Sequence, residues 1–217
     1  MDHTRENCSF LAEPERRLLT AIARRMPAAI NSDHLTLLGL VSMPIAGAAF
    51  ALIPRTPWAA ATFVAALAAN WFGDSLDGTL ARVRNRQRPR YGYYVDHVVD
   101  LVGTASLVAG IAASGAMRPS LAILLFSAYV LVAAESFLAT HALGVFRISF
   151  GGFGPTELRI VLAIGAVAIA DSPWVDVVSR RLLLFDVGGI AAIIGLVGAF
   201  VLSALRNSRA LYFAETR

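Results

Sequence analysis

Lysine is absent from this chain of 217 residues; its 19 basic side chains are all arginine. A single cysteine, Cys8, excludes an internal disulfide and any cysteine-based metal site. Charged residues make up only 16%, against 57% hydrophobic ones, and mean hydropathy is +0.63. That balance excludes an ordinary soluble domain and identifies a membrane protein. The isoelectric point near 9.8 would suit nucleic acid. The arginines, however, sit in short clusters between apolar stretches, which is the positive-inside pattern, so no nucleic-acid partner is expected. No internal repeat and no second globular domain are visible. The first long apolar run starts only after Leu35, so the polar N-terminal stretch is not expected to be a signal peptide.

Residues 1–33 read as a cytosolic N-terminus carrying a basic amphipathic helix over Glu15–Met26. Leu18, Leu19, Ile22 and Met26 form its apolar stripe, and Arg16, Arg17, Arg24 and Arg25 flank it. Such a helix lies in the membrane interface or docks on the rest of the chain. Residues 34–217 read as a catalytic domain of six spans, near 35–53, 57–82, 93–116, 120–145, 156–171 and 185–205. Each is close to the roughly 20 residues needed to cross a bilayer. The expected fold is an all-α integral membrane protein with six transmembrane helices behind an interfacial helix. Pro57, Pro119 and Pro155 sit at helix starts, where proline is tolerated. The glycine-rich stretch Phe150–Gly154 breaks the chain before the fifth span.

Two segments stand out, Asp74-Ser75-Leu76-Asp77-Gly78-Thr79-Leu80-Ala81-Arg82 and Gly92-Tyr93-Tyr94-Val95-Asp96-His97-Val98-Val99-Asp100. They place four aspartates at the ends of apolar helices. An Asp at the centre of a membrane helix costs about 2.5–3.5 kcal/mol, so an intramembrane carboxylate points to function. At about 100° per residue, Asp74, Asp77, Gly78, Ala81 and Arg82 share one face roughly 140° wide. Gly92, Asp96 and Asp100 follow i, i+4, i+8 and share another. Two helices presenting these faces to each other would gather four carboxylates, a cluster that needs cations to stay ionised. Oxygen donors of this kind suit Mg²⁺ or Mn²⁺. Two such ions would clamp a pyrophosphate for in-line displacement at phosphorus.

The full string is D-x-x-D-G-x-x-A-R, nine residues, then G-x-x-x-D-x-x-x-D, over 27 residues with every fixed position filled. It resembles the signature of the CDP-alcohol phosphotransferases, membrane enzymes of phospholipid synthesis. The resemblance implies that Asp74, Asp77 and Asp96 are metal ligands. It implies that Asp100 both touches a metal and acts as general base, with Gly78, Ala81, Arg82 and Gly92 on the CDP donor. Gly78 and Ala81 carry almost no side chain, so a ligand can approach closely, and Arg82 offers a bidentate fork to phosphate. Family members often carry Asn-x-Leu-Thr before the first span; here the stretch is Asp33-His34-Leu35-Thr36. Asp33 and Thr36 are therefore donor-site candidates, while Asp33 equally suits the N-cap of that span.

Acceptor-site candidates are Arg88, Glu135, Arg147 and Arg159. Arg84, Arg86, Arg88 and Arg90 alternate through the loop as positive-inside anchors, of which one or two can reach an anionic substrate. Glu135, inside the fourth span, either lines the acceptor pocket or hydrogen-bonds a neighbouring helix. Glu157 and Arg159 open the fifth span. Several branches of the family use lysine there for a phosphorylated acceptor, which Arg147 and Arg159 would replace. The other reading is helix capping by Thr156 or Glu157. His97 lies about 100° round the helix from Asp96 and faces away. Its Asp-His-x-x-Asp context is similar to the eukaryotic choline and ethanolamine branch. His141 reads as structural, and Tyr91, Tyr93 and Tyr94 as an interfacial belt.

The expected activity moves a phosphatidyl group from CDP-diacylglycerol to a small polar alcohol, releasing CMP by direct displacement with two divalent metals. The expected partners are those substrates, membrane lipids and a second copy in a homodimer. Two alternatives are a CDP-aminoalcohol enzyme acting on diacylglycerol and an aspartate-based cation transporter. Arg82 beside the carboxylates opposes the transporter. The N-terminus, the 82–90 loop, the 147–159 region and the C-terminus hold 5, 5, 2 and 3 arginines, against 4 at Arg55, Arg118, Arg180 and Arg181. The richer side is cytosolic, placing both termini and the motif on the cytosolic face of the cytoplasmic membrane. In a Cys8→Ser background, an impermeant thiol reagent on intact cells should label Ser179→Cys and spare Ser208→Cys. The opposite pattern would overturn this orientation.

Overall fold

The computed structural model describes residues 4–6, 11–147 and 154–216, with only the backbone at 4–6 and 145–147. Among these residues the chain forms seven helices: α1 (Ala12–Arg25), α2 (Ser32–Leu52), α3 (Ala59–Val83), α4 (Pro89–Ser114), α5 (Pro119–Leu143), α6 (Pro155–Asp171) and α7 (Leu184–Glu215). Two short strand pairings accompany them. Thr4–Glu6 (β1) runs parallel to Val145–Arg147 (β2). Trp174–Val177 (β3) and Arg180–Leu183 (β4) form an antiparallel hairpin in the expected 172–184 loop.

Four helices are long and apolar enough to cross a membrane: α2, α4, α5 and α7. The chain is thus a multi-pass membrane protein. The other two helices within the expected spans differ for physical reasons. α3 has 25 residues, but Asn70, Asp74 and Asp77 dilute its apolar character. α6 has 17 residues, about 25 Å at 1.5 Å each, short of the roughly 30 Å hydrocarbon core.

α2 is the organising element. It packs closely on both α3 and α4, whereas α3 and α4 share almost no direct contact. The α2–α4 crossing is made by glycine. A Cβ on Gly110 would collide with the Gly47 carbonyl, and one on Gly47 with the Ser106 carbonyl. Close backbone approach through small residues is the usual way membrane helices associate. At the α2–α3 crossing, a Cβ on Gly73 would stand 2.5 Å from the Leu35 carbonyl oxygen. α5 packs on α4 and α7, and α6 on α3.

At one end of the bundle, Phe50 of α2 makes edge contacts with Phe63 of α3 and Phe185 of α7, centroids 5.0 and 4.9 Å apart. At the other end, Leu19 and Ala23 of α1 pack on Leu35, Leu76 and Leu80. Leu76 and Leu80 lie on the flank of α3 that α1 covers. The Arg84 guanidinium donates to the Met26 and Pro27 carbonyls, both at 2.9 Å, and fastens the α1–α2 link to the end of α3. On the exposed side of α1, Arg16 and Arg17 bind Glu13 and hold its carboxyl down at about 2, so this turn keeps its charge at any ordinary pH.

The tight α2–α4 crossing gives two glycine substitutions different outcomes. Gly110→Ala should destabilise the protein in micelles by about 1–3 kcal/mol through overpacking. Gly195→Ala meets open space and should be neutral or gain up to about 1 kcal/mol from helix propensity. Equal effects in an unfolding assay would show that the crossing is not tight.

Candidate active site

α3 carries Asp74 and Asp77, α4 carries Asp96 and Asp100, and both helices pack on α2. On α3, Asp77 Oδ2 accepts from the Thr36 hydroxyl of α2 at 2.6 Å, and Asp77 Oδ1 from the Gly78 backbone N–H. Asp74 is met by α6: Arg159 Nη2 donates to Asp74 Oδ2 at 2.6 Å and Arg159 Nε to Asn70 Oδ1 at 2.9 Å. Asn70, buried one turn before Asp74, donates its amide to the Gly39 carbonyl at 3.0 Å. Arg159 is therefore oriented by a fixed amide, and its side chain is only 16% exposed. Such a paired, partly buried guanidinium is a stronger partner than a surface ion pair.

On α4, Asp96 lies 3.9 Å from His97 Nδ1, which donates to the Tyr93 carbonyl at 2.7 Å. The His97 ring is packed between Tyr93 and Phe137, centroids 4.1 and 4.9 Å away. Tyr129 of α5 lies in the neighbourhood of Thr104 and of Asp74, Asp96 and Asp100, which sit on two helices.

The expected gathering of four carboxylates takes a looser form. Among the described residues, no three His, Cys, Asp or Glu side chains are grouped tightly enough to form a ready metal site. Two causes are visible: α2 keeps α3 and α4 apart, and like charges repel when drawn together. Protein donors satisfy Asp74 and Asp77 singly instead. In donor chemistry the set still fits a hard divalent cation, since all four groups are carboxylates.

Beside Asp77 opens a cavity of about 400 Å³, bounded by Asn31, Asp33, Ala81, Arg84, Arg86 and Arg88 among others. Its basic wall and the small Ala81 suit an anionic ligand lying on α3. Arg88 forms an ion pair with Asp33 and stacks over Tyr91, 4.4 Å from the ring centroid. Asp33 is thus not the cap of α2. That role falls to Asn31, whose side chain accepts from His34 N at 3.0 Å. Arg82 donates to the Thr79 hydroxyl at 2.9 Å, and a Cβ on Gly78 would meet Arg82 Nη1 at 3.4 Å. Gly92 is exposed in the first turn of α4, with open space around it.

Of the acceptor candidates whose side chains are described, Arg159 is the one seen against a motif aspartate. Arg88 lies on the cavity side. Buried Glu135 accepts from Ser203 and Asn207 of α7 at 2.8 and 2.7 Å, the neighbouring-helix reading. The Arg147 side chain and residues 150–153 lie outside the described residues, as does Cys8. Glu157 does cap α6, accepting from Gly154 N at 3.0 Å. Two site residues escaped the sequence reading. Asn70 had a signal, being polar in an apolar span and i−4 from Asp74. Tyr129 had none.

Comparison with known proteins agrees with this geometry. The family profile of CDP-alcohol phosphatidyltransferase matches residues 30–203. The chain belongs to that family, and is thus a membrane enzyme, a transferase of phosphate-containing groups in phospholipid biosynthesis. No curated protein matches the chain. Among solved structures it is similar to the phosphatidylinositol phosphate synthase of Mycobacterium tuberculosis, solved with CDP-DAG bound. That likeness has a TM-score of 0.52 and 21% identity, over 90% of this chain and 92% of that one. It concerns the fold.

Proposed function

We propose that this enzyme transfers a phosphatidyl group from CDP-diacylglycerol to the hydroxyl of a small polar alcohol and releases CMP. The observation that carries the reading is the composite face of α3. There Asp74 and Asp77 share a helix face with Ala81, which lines a cavity with three arginines on its wall. The family supports a CDP-alcohol donor, and the similar mycobacterial enzyme was solved with CDP-DAG. In this reading the cavity takes the cytidine end of the donor, with Gly78 and Ala81 allowing close approach and Arg82 on phosphate. The lipid tails lie along the apolar helices, and six spans carry the motif to the cytosolic face.

Asp74, Asp77, Asp96 and Asp100 would hold Mg²⁺ or Mn²⁺, which supplies charge stabilisation at the pyrophosphate and acidifies the acceptor hydroxyl. Asp100 accepts the proton of that hydroxyl. The alkoxide forms its bond to the phosphorus remote from cytidine as the bond to the CMP oxygen breaks. Arg159, beside Asp74, supplies positive charge on the acceptor side. The helices contribute positioning, the larger share of such a displacement.

The test is CMP release from CDP-diacylglycerol by purified protein, screened over polar alcohols with products identified by mass. Release should require an alcohol, stop in EDTA and return with Mg²⁺ or Mn²⁺. Asp74→Asn, Asp77→Asn and Asp96→Asn should each abolish it. Asp100→Asn should lower turnover roughly 10²–10⁴-fold, as expected for loss of a general base, while donor binding persists. Full activity in EDTA, or an unimpaired Asp100→Asn, contradicts the mechanism.

A further inference from the structure

Glu15 of α1 lies outside the motif, yet one half-buried carboxylate collects three side-chain donors from two other helices. Its Oε1 accepts from Trp71 Nε1 at 2.6 Å, from Ser75 Oγ at 3.2 Å and from Thr156 Oγ1 at 3.0 Å. Its Oε2 takes the Thr156 hydroxyl at 3.0 Å as well. Trp71 and Ser75 bracket Asp74 on α3. Thr156 precedes Arg159 by one turn on α6. The bridge Trp71/Ser75–Glu15–Thr156 therefore stands beside the bridge Asn70/Asp74–Arg159 and joins the same two helices. A second carboxylate reinforces the seam, with Leu11 N donating to Glu157 Oε1 at 3.0 Å.

This placement exceeds what holding α1 in place requires. Leu19 and Ala23 already bury the helix against Leu76 and Leu80, and the bonds from Trp71 and Ser75 alone would fix Glu15 to α3. The Thr156 bond adds the link from α3 to α6. Partly buried donors deprived of their acceptor lose a favourable contact with no protein group to replace it, which favours a shift of so short a helix. A displacement near 1 Å at a catalytic group can cost about 10²-fold in rate. We propose that Glu15 is a positioning residue: it sets α6 against α3 and so places the Arg159 guanidinium on Asp74. The functional consequence rests on the phosphatidyl-transfer reading; the structural one does not.

Two measurements on the full chain separate these. Spin labels at Ala68→Cys and Ile160→Cys in a Cys8→Ser background report the α3–α6 distance. Thr156→Val removes only the α6 half of the bridge and leaves α1 bound to α3. It should shift or broaden the distance distribution as Glu15→Ala does, whereas Glu15→Gln, which keeps an acceptor oxygen, should not. An unchanged distribution in both Thr156→Val and Glu15→Ala overturns the proposal. In CMP release from CDP-diacylglycerol, Thr156→Val should cost about 10–100-fold in the native background and under about twofold in Arg159→Gln. Losses that multiply across the two backgrounds also overturn it, because a general loss of stability would act in both. If the unmodified protein releases no CMP, the transfer reading fails, and the distance measurement still decides the role of Glu15.

Discussion

Carboxylates in apolar helices must be neutralised, and the remainder of this structure follows from how that is done. Each aspartate near the hydrocarbon region costs several kcal/mol unless charge or hydrogen bonds compensate. Here Arg159 and Asn70 serve Asp74, and Thr36 with the Gly78 N–H serves Asp77. These partners come from α2, α3 and α6. The helices are therefore tied together at the level of the motif by the same bonds that give these carboxylates their partners.

The glycine crossings make this possible. Gly73 lets α2 lie against α3 closely enough for Thr36 to reach Asp77, and Gly47 with Gly110 seats α4 on the other side of α2. α3 thus carries an acidic face at Asp74 and Asp77 and, through Ala81, one wall of a cavity lined by Arg84, Arg86 and Arg88. A site of that charge pattern suits a metal-bridged pyrophosphate better than either ion alone, since the acidic wall takes cations and the basic cavity takes the anion. The same pattern explains why a transporter reading is weaker: Arg159 stands directly on Asp74, where a cation path would have to pass.

Much of this was legible in the sequence. The eight signature positions and the shared face on α3 follow from spacing alone. The boundaries of α2 to α6 fall close to the expected spans, with proline at the starts of α4, α5 and α6 and glycine just past the ends of α4 and α5. α7 instead runs on to Glu215, ten residues beyond the expected end. What spacing could not show is three-dimensional partnership. That α2 intervenes between α3 and α4 depends on glycines scattered along two helices, not on the motif. Glu15 reads as one more acid on a surface helix until Trp71, Ser75 and Thr156 are seen around it. Glu135 was left between two readings, and only the presence of Ser203 and Asn207 on α7 gives it a structural partner. Asp33 looked like a cap because it opens an apolar run, yet Asn31 stands two residues earlier with the better geometry.

The central claim is that the four aspartates form the cation site for phosphatidyl transfer. Manganese binding, followed by electron paramagnetic resonance on the purified full chain with CMP present, tests it without relying on turnover. The account predicts saturable binding that weakens at least about tenfold, as for loss of a metal ligand or its close support, in Asp74→Asn, Asp77→Asn and Asp96→Asn alike. Unchanged manganese affinity in all three variants would contradict it.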